Sequence, residues 1–598
     1  METTALTKYE QDVLLSLFTE RYETQRILSE RTGFSIGIVN RALKRLKAAG
    51  CLNEDMELTA RAREMLRAGA PRAAVILAAG YGMRMTPVSM ELPKALLRVK
   101  GEVLIERIIR QLHEAGIYDI SVVVGFMKER FEYLIDEFGV SLIVNSLYSV
   151  RNNLYSLSLA AARIGNTYII PADIRAERSP FSKAEAYSWY MISEAPDRDS
   201  SVRLTRGQEL EETDGRDGSG NRMIGIAYLE GGTADRVRAR VEAMAEDPRF
   251  DDCFWEEALY PPRADHRRPR RMELWGKLVD EEAVIEINTC EQLRELDAAA
   301  EALRSRAFST LAGIFHVPPE EIRDIDVLKK GMTNRSFLFS CGGVKYIMRI
   351  PGKGTEKLID REQEAAVYRA ISGRGLCDDP VYIDARTGYK VTRYLPSVRS
   401  CDPHSEEDQR KAMAILRRLH EMKLSVDHSF DLFAQMERYE ALWGGEASVF
   451  RDYERTKRQV LSLKDYIASC RPEYVLSHID AIPDNFLFYA DEAGEERVQL
   501  TDWEYAGMQD PYVDIAMFCI YSAYSREESD HLMELYFGGD CGPAIRARIY
   551  CYMAAGGLLW SNWCEYKRSL GVEFGAYSLM QYRYAKEFYR HAARLIQG

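Results

Sequence analysis

Apolar residues recur at i, i+3 and i+4 through YEQDVLLSLF, TQRILSERTG and SIGIVNRALKRLKAAG, so residues 9–50 predict three amphipathic helices. CLNEDMELT then reads as a short hairpin and ARAREMLRAG as a fourth helix. From Ala73 the pattern changes. AAVILAAG is an unbroken apolar run ending in glycine, VLIERIIRQLHEAG returns to helical spacing, and DISVVVGF is again a strand. Alternating strands and helices imply a mostly parallel, doubly wound sheet. Residues 197–222, rich in Gly, Asp and Arg, and PPRADHRRPRR at 261–271 interrupt it as exposed loops or hairpins. A strongly helical stretch over 290–315 reads as a connector. Beyond it short strands (SFLFSCGGVKYIMRI) give way to a largely helical remainder. The expected organisation is 1–70, 73–297, a helical connector 298–316, and 317–598.

Composition changes this picture only by exclusion. The 598 residues are too many for one core, at about 150 residues per domain. With 46% hydrophobic and 29% charged residues the chain is globular, and no apolar run approaches the roughly 18 residues of a membrane span. METTALTKYEQD is charged and polar where a secretory signal would be apolar, so a cytoplasmic location is expected. The 11 cysteines form no C-x-x-C pair, which suits buried thiols rather than disulfides or a zinc site. A net charge of −12 opposes broad nucleic-acid binding and leaves only a local contact.

The first chemical signal is VILAAGYGMRMTP followed by LPKALL. A glycine-rich turn at the carboxyl end of a strand lets backbone N–H groups approach phosphates, and Arg84 and Lys94 carry charge to match. The pattern L-x-A-G-x-G-x-R-x-x-P, then P-K, resembles the sugar-nucleotide and phosphocholine nucleotidyltransferases, which have a Rossmann-like domain with a parallel-rich sheet. The resemblance implies nucleotide contacts at Leu77, Ala79, Gly80, Gly82 and Arg84, with Arg84 and Lys94 serving the triphosphate and incoming phosphate. Such a transfer uses Mg²⁺. By the same resemblance Asp173, ending the strand in NTYIIPADI, is the first metal ligand and Asn288, in VIEINT, the second, where several cytidylyltransferases have Asp. Residues 73–297 resemble bacterial CTP:phosphocholine cytidylyltransferases almost throughout, most clearly at Asn152-Asn153-x-Tyr155-Ser156-Leu157. Tyr155, Tyr190 and Trp255 are the aromatics available to box a quaternary ammonium.

The second signal is SHIDAIPDNF at 477–486, followed by TDWEYAG. D-x-x-x-x-N from Asp480 to Asn485 has the spacing of a protein-kinase catalytic loop, and Asp502 falls where those kinases hold metal. Asp480 is then the hydroxyl-orienting base, and Asn485 and Asp502 the metal ligands. Upstream, the turn GMTNRSF, containing Asn334, could cover the phosphates. VKYIMRIPG supplies Arg349 as the phosphate-side cation, with Lys345 second to it, and REQEAAVYRA supplies Glu364 as its partner. Residues 324–597 resemble the choline/ethanolamine kinases, relatives of aminoglycoside phosphotransferases, with a bilobal protein-kinase-like fold. Choline needs aromatic faces, whereas an aminoglycoside's ammoniums need carboxylates. Trp560 and Trp563 lie one turn apart, Tyr584 follows, and Tyr521 or Tyr524 is a fourth wall; Glu504 replaces the glycine after the metal-binding aspartate.

Three helices, a hairpin and a helix within about 65 residues read as a winged helix-turn-helix, a domain resembling the MarR-like type. Its third helix carries Arg41, Lys44, Arg45 and Lys47. Basic and acidic residues nearly balance over the unit, so DNA binding ranks below dimerisation or packing. The whole resemblance implies a multidomain α/β and α+β enzyme that phosphorylates choline with ATP and joins phosphocholine to CMP from CTP, giving CDP-choline. A homodimer is compatible with it. The alternatives are the same reactions on ethanolamine or another amino alcohol, or a regulator sensing choline metabolites.

Overall fold

The computed structural model describes residues 6–213, 220–263, 269–328, 334–351, 359–443, 447–491, 493–569 and 574–597. Its chain divides into two compact units, 1–322 and 323–598.

The first unit opens with α1 Lys8–Thr19, α2 Gln25–Thr32, α3 Ile36–Ala48 and α4 Ala60–Ala68. Thr24 and Thr59 accept hydrogen bonds from Ile27 and Ala62 N–H groups and so cap α2 and α4. Val39, Ala42, Leu43 and Leu46 give α3 one buried stripe, packed on Val13, Leu14 and Leu17. The expected hairpin is reduced to a single bridge, Leu52 to Leu58.

A nine-stranded sheet follows, built from β1 Ala73–Ala78, β2 Asp119–Val124, β3 Ser141–Val144, β4 Thr167–Pro171, β6 Trp189–Pro196, β7 Val202–Leu204, β8 Glu209–Glu212, β9 Asn221–Leu229 and β10 Arg271–Val279. Its order is β3-β2-β1-β4-β9-β6-β10-β8-β7. The first four strands run parallel, and β9 enters antiparallel to both β4 and β6. A separate two-stranded ribbon pairs β5 Ile174–Ala176 with β11 Val284–Glu286. The helical run expected over 290–315 is broken into Cys290–Leu296, a tight turn Glu301–Arg304, and Arg306–Phe315. Thr289 and Ser305 each start a new helix by accepting a backbone N–H, and this segment stays with the first unit.

The second unit begins with an antiparallel sheet in the order β12-β13-β14-β16-β15. These strands are β12 Arg323–Val327, β13 Asn334–Cys341, β14 Val344–Pro351, β15 Tyr382–Ile383 and β16 Lys390–Arg393. Helix α5 Arg361–Ile371 follows β14; the later helices include α6 Tyr512–Tyr521, α7 Gly542–Ser569 and α8 Ala576–Gln597. A Cβ on Gly557 of α7 would lie 2.6 Å from the Gln581 carbonyl oxygen and 2.8 Å from the Ala585 nitrogen, so α7 and α8 meet backbone to backbone. Among the described residues no helix is long and apolar enough to cross a membrane.

Candidate active sites

In the first unit the chemistry gathers at the carboxyl ends of the parallel strands, where open α/β sheets bind ligands. Leu77 is half-buried on β1 and Ala79 buried just past its end, where the Ala79 carbonyl accepts from Phe126 N–H at 3.1 Å. Gly80 is exposed beyond them. Gly82 has φ +60°, and a Cβ there would meet Lys94 Cβ at 3.1 Å, so a side chain would be strained in conformation and would crowd Lys94. The turns Met83–Met85 and Lys94–Leu96 carry Arg84 and Lys94. Asp173 lies between β4 and β5, and pairing of β5 with β11 brings Asn288 beside it.

The resulting cluster is tight. Lys94 Nζ is 2.5 Å from Asp173 Oδ2 and 2.8 Å from Asn288 Oδ1, and Arg84 Nη2 is 2.9 Å from the same Asn288 oxygen. Glu286, which the sequence reading passed over, belongs to it. Burial, then the Asp173 carboxylate, push its pKa above the usual carboxylate range, and the Asn288 amide and Lys94 oppose them. Asp173 Oδ1 is buried without a hydrogen-bond partner. Two carboxylates and an amide oxygen, one acceptor still open, suit a hard divalent cation such as Mg²⁺. Among the described residues no three His, Cys, Asp or Glu side chains gather as a metal site, so an ion here would rest on two carboxylates and the Asn288 amide oxygen.

The aromatic residues expected to box the ammonium here differ in placement. Tyr190 and Trp255 are wholly in the core, 6.0 Å between ring centres, and the Tyr190 hydroxyl donates to Glu256 Oε1 at 3.1 Å. Both faces of β6 are covered, Trp189 and Met191 entering one core and Tyr190 and Ile192 the other, so the Tyr190 ring is spent on packing. Burial pushes the Glu256 pKa up to about 7. Tyr155 is half-buried, with the Arg151 guanidinium 4.8 Å over its ring.

In the second unit a cavity of about 720 Å³ contains Arg349, Lys390, Asp480, Asn485, Asp502, Glu504, Trp560 and Trp563 in its walls. Arg349, on β14, is buried and ion-paired with Glu364 of α5: Nη2 donates to Oε2 at 2.8 Å, and Nη1 lies 2.6 Å from Oε1. Burial alone would push Glu364 up; Arg349, with Lys390 and Arg361, brings its pKa below the ordinary value. Arg349 Nη1 also lies 3.7 Å from Asp502 and 4.0 Å from Glu504. Lys345 is exposed. Lys390, unforeseen in sequence, stands opposite Arg349 in the strand register and donates to the Tyr368 hydroxyl at 2.6 Å and to Asp378 at 3.1 Å. The Asn334 side chain and residues 331–333 lie outside the described residues.

The catalytic-type loop is held from behind. Asp514, buried on α6, accepts from the N–H groups of His478 at 2.9 Å and Ile479 at 2.7 Å, and its Oδ2 lies 2.9 Å from His420 Nε2. Ile479 and Asp502 both adopt positive φ, +69° and +63°, a strained conformation for the β-branched Ile479 and a tolerated one for Asp502. Asn485 Nδ2 donates to the Asp480 carbonyl at 2.8 Å and to its carboxylate at 3.1 Å. Burial, then the Asp502 and Glu504 carboxylates, push the Asp480 pKa up to about 8. Asp502 and Asn485 again form an oxygen-donor set fitted to Mg²⁺.

Of the predicted aromatics, Trp560 and Trp563 line the cavity, their rings 6.3 Å apart. Tyr524 and Tyr584 do not. Tyr524 packs toward Gln409, whose amide donates to its hydroxyl, and Tyr584 donates to the Tyr524 carbonyl at 2.7 Å. Their places are taken by Tyr521, which donates to Asp484 at 2.9 Å, and by Tyr577 and Phe574.

Known proteins fall on these segments in the same order. Residues 13–79 match the wHTH-PRTase associated family, 74–179 the MobA-like NTP transferase domain, and 324–550 the phosphotransferase enzyme family. A choline-phosphate cytidylyltransferase of Streptococcus pneumoniae is 29% identical over 226 residues, 38% of this chain and 96% of that protein. Protein LicA of Haemophilus influenzae is 28% identical over 263 residues, 42% of this chain and 95% of its own. A 2-aminoethylphosphonate cytidylyltransferase of Lancefieldella rimae is 30% identical over 201 residues, 31% of this chain and 78% of that protein. Fold, sites and matches define a nucleotide-dependent transferase with two separate centres. The chain belongs to the cytidylyltransferase family, extended by a winged helix before that domain and a LicA-like phosphotransferase domain after it.

Proposed function

We propose that the protein makes CDP-choline in two steps: ATP phosphorylates choline in the second unit, and the first unit transfers CMP from CTP to phosphocholine, releasing pyrophosphate. The observation that carries this reading is one cavity in which Trp560, Trp563, Tyr521 and Tyr577 face the same space as Asp480. Aromatic faces hold a quaternary ammonium that can donate no hydrogen bond. Asp480 orients the choline hydroxyl and, in its ionised form, takes its proton as the oxygen attacks the γ-phosphorus of ATP and ADP leaves. Arg349, fixed by Glu364, offers its charge to the ATP phosphates. In the first unit Arg84 and Lys94 hold the CTP triphosphate and the phosphocholine phosphate, whose oxygen attacks the α-phosphorus. Asp502 with Asn485, and Asp173 with Glu286 and Asn288, would hold Mg²⁺, which supplies charge neutralisation across phosphate oxygens when bound.

Purified protein given choline, ATP, CTP and Mg²⁺, followed by phosphorus NMR, tests this directly. Phosphocholine should appear first and CDP-choline second; Asp480→Asn should form CDP-choline only from added phosphocholine. Preference for ethanolamine in direct competition would overturn the choline assignment.

For the winged helix the contacts favour packing. Lys8 donates to Gln208 at 2.6 Å, Asn166 to the Ala68 carbonyl at 2.6 Å, and Tyr228 to the Gly69 carbonyl at 2.5 Å. On α3, Arg45 is engaged by Glu10 and Lys47 by Glu54. Salt-sensitive DNA binding at low ionic strength would reverse this reading.

A further inference from the structure

One cation next to the aromatic cavity has no role in the chemistry above. Lys567 follows Trp563 by one helical turn on α7, and its Nζ lies 5.4 Å from the centre of the Trp563 ring. It is half-buried, and no carboxylate among the described residues pairs with it, whereas its neighbour Arg568 is bound to Glu565 at 3.0 Å. Burial lowers its pKa, and Glu504, itself in the cavity wall, acts in the opposite direction, so the ammonium lies within electrostatic reach of the site. A half-buried ammonium without a counter-ion is costly unless something else offsets it. Among the described residues the Trp563 ring is the group it faces.

We infer that Lys567 is an affinity-setting residue: its ammonium stands on Trp563 as a resident cation and weakens that ring's hold on the substrate's ammonium. Lys567 is not among the residues lining the cavity, so it acts on Trp563 from outside that wall. From there it draws π density away from the cavity, and the like charges repel in a low-dielectric surrounding. Among the described residues no cation stands on Trp560, Tyr521 or Tyr577, so the effect is a graded loss of affinity rather than exclusion.

This inference rests on the choline reading, and the test separates the two. Lys567→Met and Lys567→Gln keep the length of the side chain and remove the charge, while Lys567→Arg keeps the charge. In the full-length protein the neutral variants should lower the KM for choline about three- to tenfold, the range of one cation–π contact, with the KM for ATP unchanged. They should likewise tighten binding of tetramethylammonium, read by tryptophan fluorescence without ATP. Lys567→Arg should stay near the wild type in both assays. An unchanged or raised choline KM in the neutral variants, with Lys567→Arg active, would overturn the inference and leave choline phosphorylation standing. Failure of the wild type to phosphorylate choline would instead remove the reading beneath it.

Discussion

Asp514 holds the loop that presents Asp480, and replacing it with Asn measures how much of the phosphotransferase site depends on that support. In the wild type one carboxylate oxygen accepts from Ile479 N–H and the other faces both His478 N–H and His420 Nε2, all within 2.9 Å and out of contact with solvent. An amide keeps the shape but has only one acceptor oxygen, so in either orientation its NH₂ points at a backbone N–H. One charge-assisted hydrogen bond, at about 1.5–3 kcal/mol, is lost and a buried donor is left opposed, for a total of about 2–4 kcal/mol. In a unit of this size that lowers its melting temperature by roughly 5–15 °C. The strained Ile479 would relax, and Asp480 is the next residue. A displacement of about 1 Å at a catalytic group costs on the order of 100-fold in rate. Phosphorylation of choline, measured by ADP release at temperatures where the variant is folded, should therefore fall about 100-fold. Cytidylyl transfer to added phosphocholine should stay within about twofold. If Asp514→Asn phosphorylates choline normally and melts with the wild type, the supporting role is wrong.

Lys94→Ala should halt the full reaction at phosphocholine, seen as a single phosphorus resonance that CTP does not consume. Trp560→Leu should raise the choline KM about tenfold or more through loss of one aromatic face, with little change in the ATP KM. In the pH dimension, Asp480 keeps its proton in the folded unit to about 8, whereas the unfolded chain releases it near 4. Between those values the folded state binds the extra proton, so this group's contribution to stability falls as pH rises. Thermal denaturation without nucleotide or metal ion should show that decline, and Asp480→Asn should flatten it.

The sequence made the strand-turn-helix pattern around Gly80 legible, because period and glycine placement are local properties. Local patterns also located Arg349 with Glu364, and Asp480 with Asn485. What stayed hidden depends on pairing between distant segments. Glu286 alternates with Asn288 in VIEIN, which hints that both point one way, but only the ribbon with β5 brings them to Asp173. Tyr577 and Tyr584 lie seven residues apart on one face of α8, and helical spacing cannot say which turn reaches the cavity. Tyr521 and Tyr524 posed the same choice at the end of α6. Tyr190 shows the converse error: its strand lies deep in the sheet, where an aromatic side chain serves the core. The helical stretch over 290–315 is not continuous because the backbone leaves the helix at Asp297, φ −151°, and Ser305 caps a new helix from Arg306.

The close approach of α7 and α8 at Gly557 reaches further than packing. Trp560 and Trp563 stand on one of these helices and Tyr577 on the other, so the width of the gap between the aromatic walls is fixed by a missing methyl group several residues away. A side chain at position 557 would leave every cage residue in place yet spread the walls. Choice among ammonium ions of different bulk could then drift without any change in the residues that touch them, and a comparison of cage residues alone would miss it.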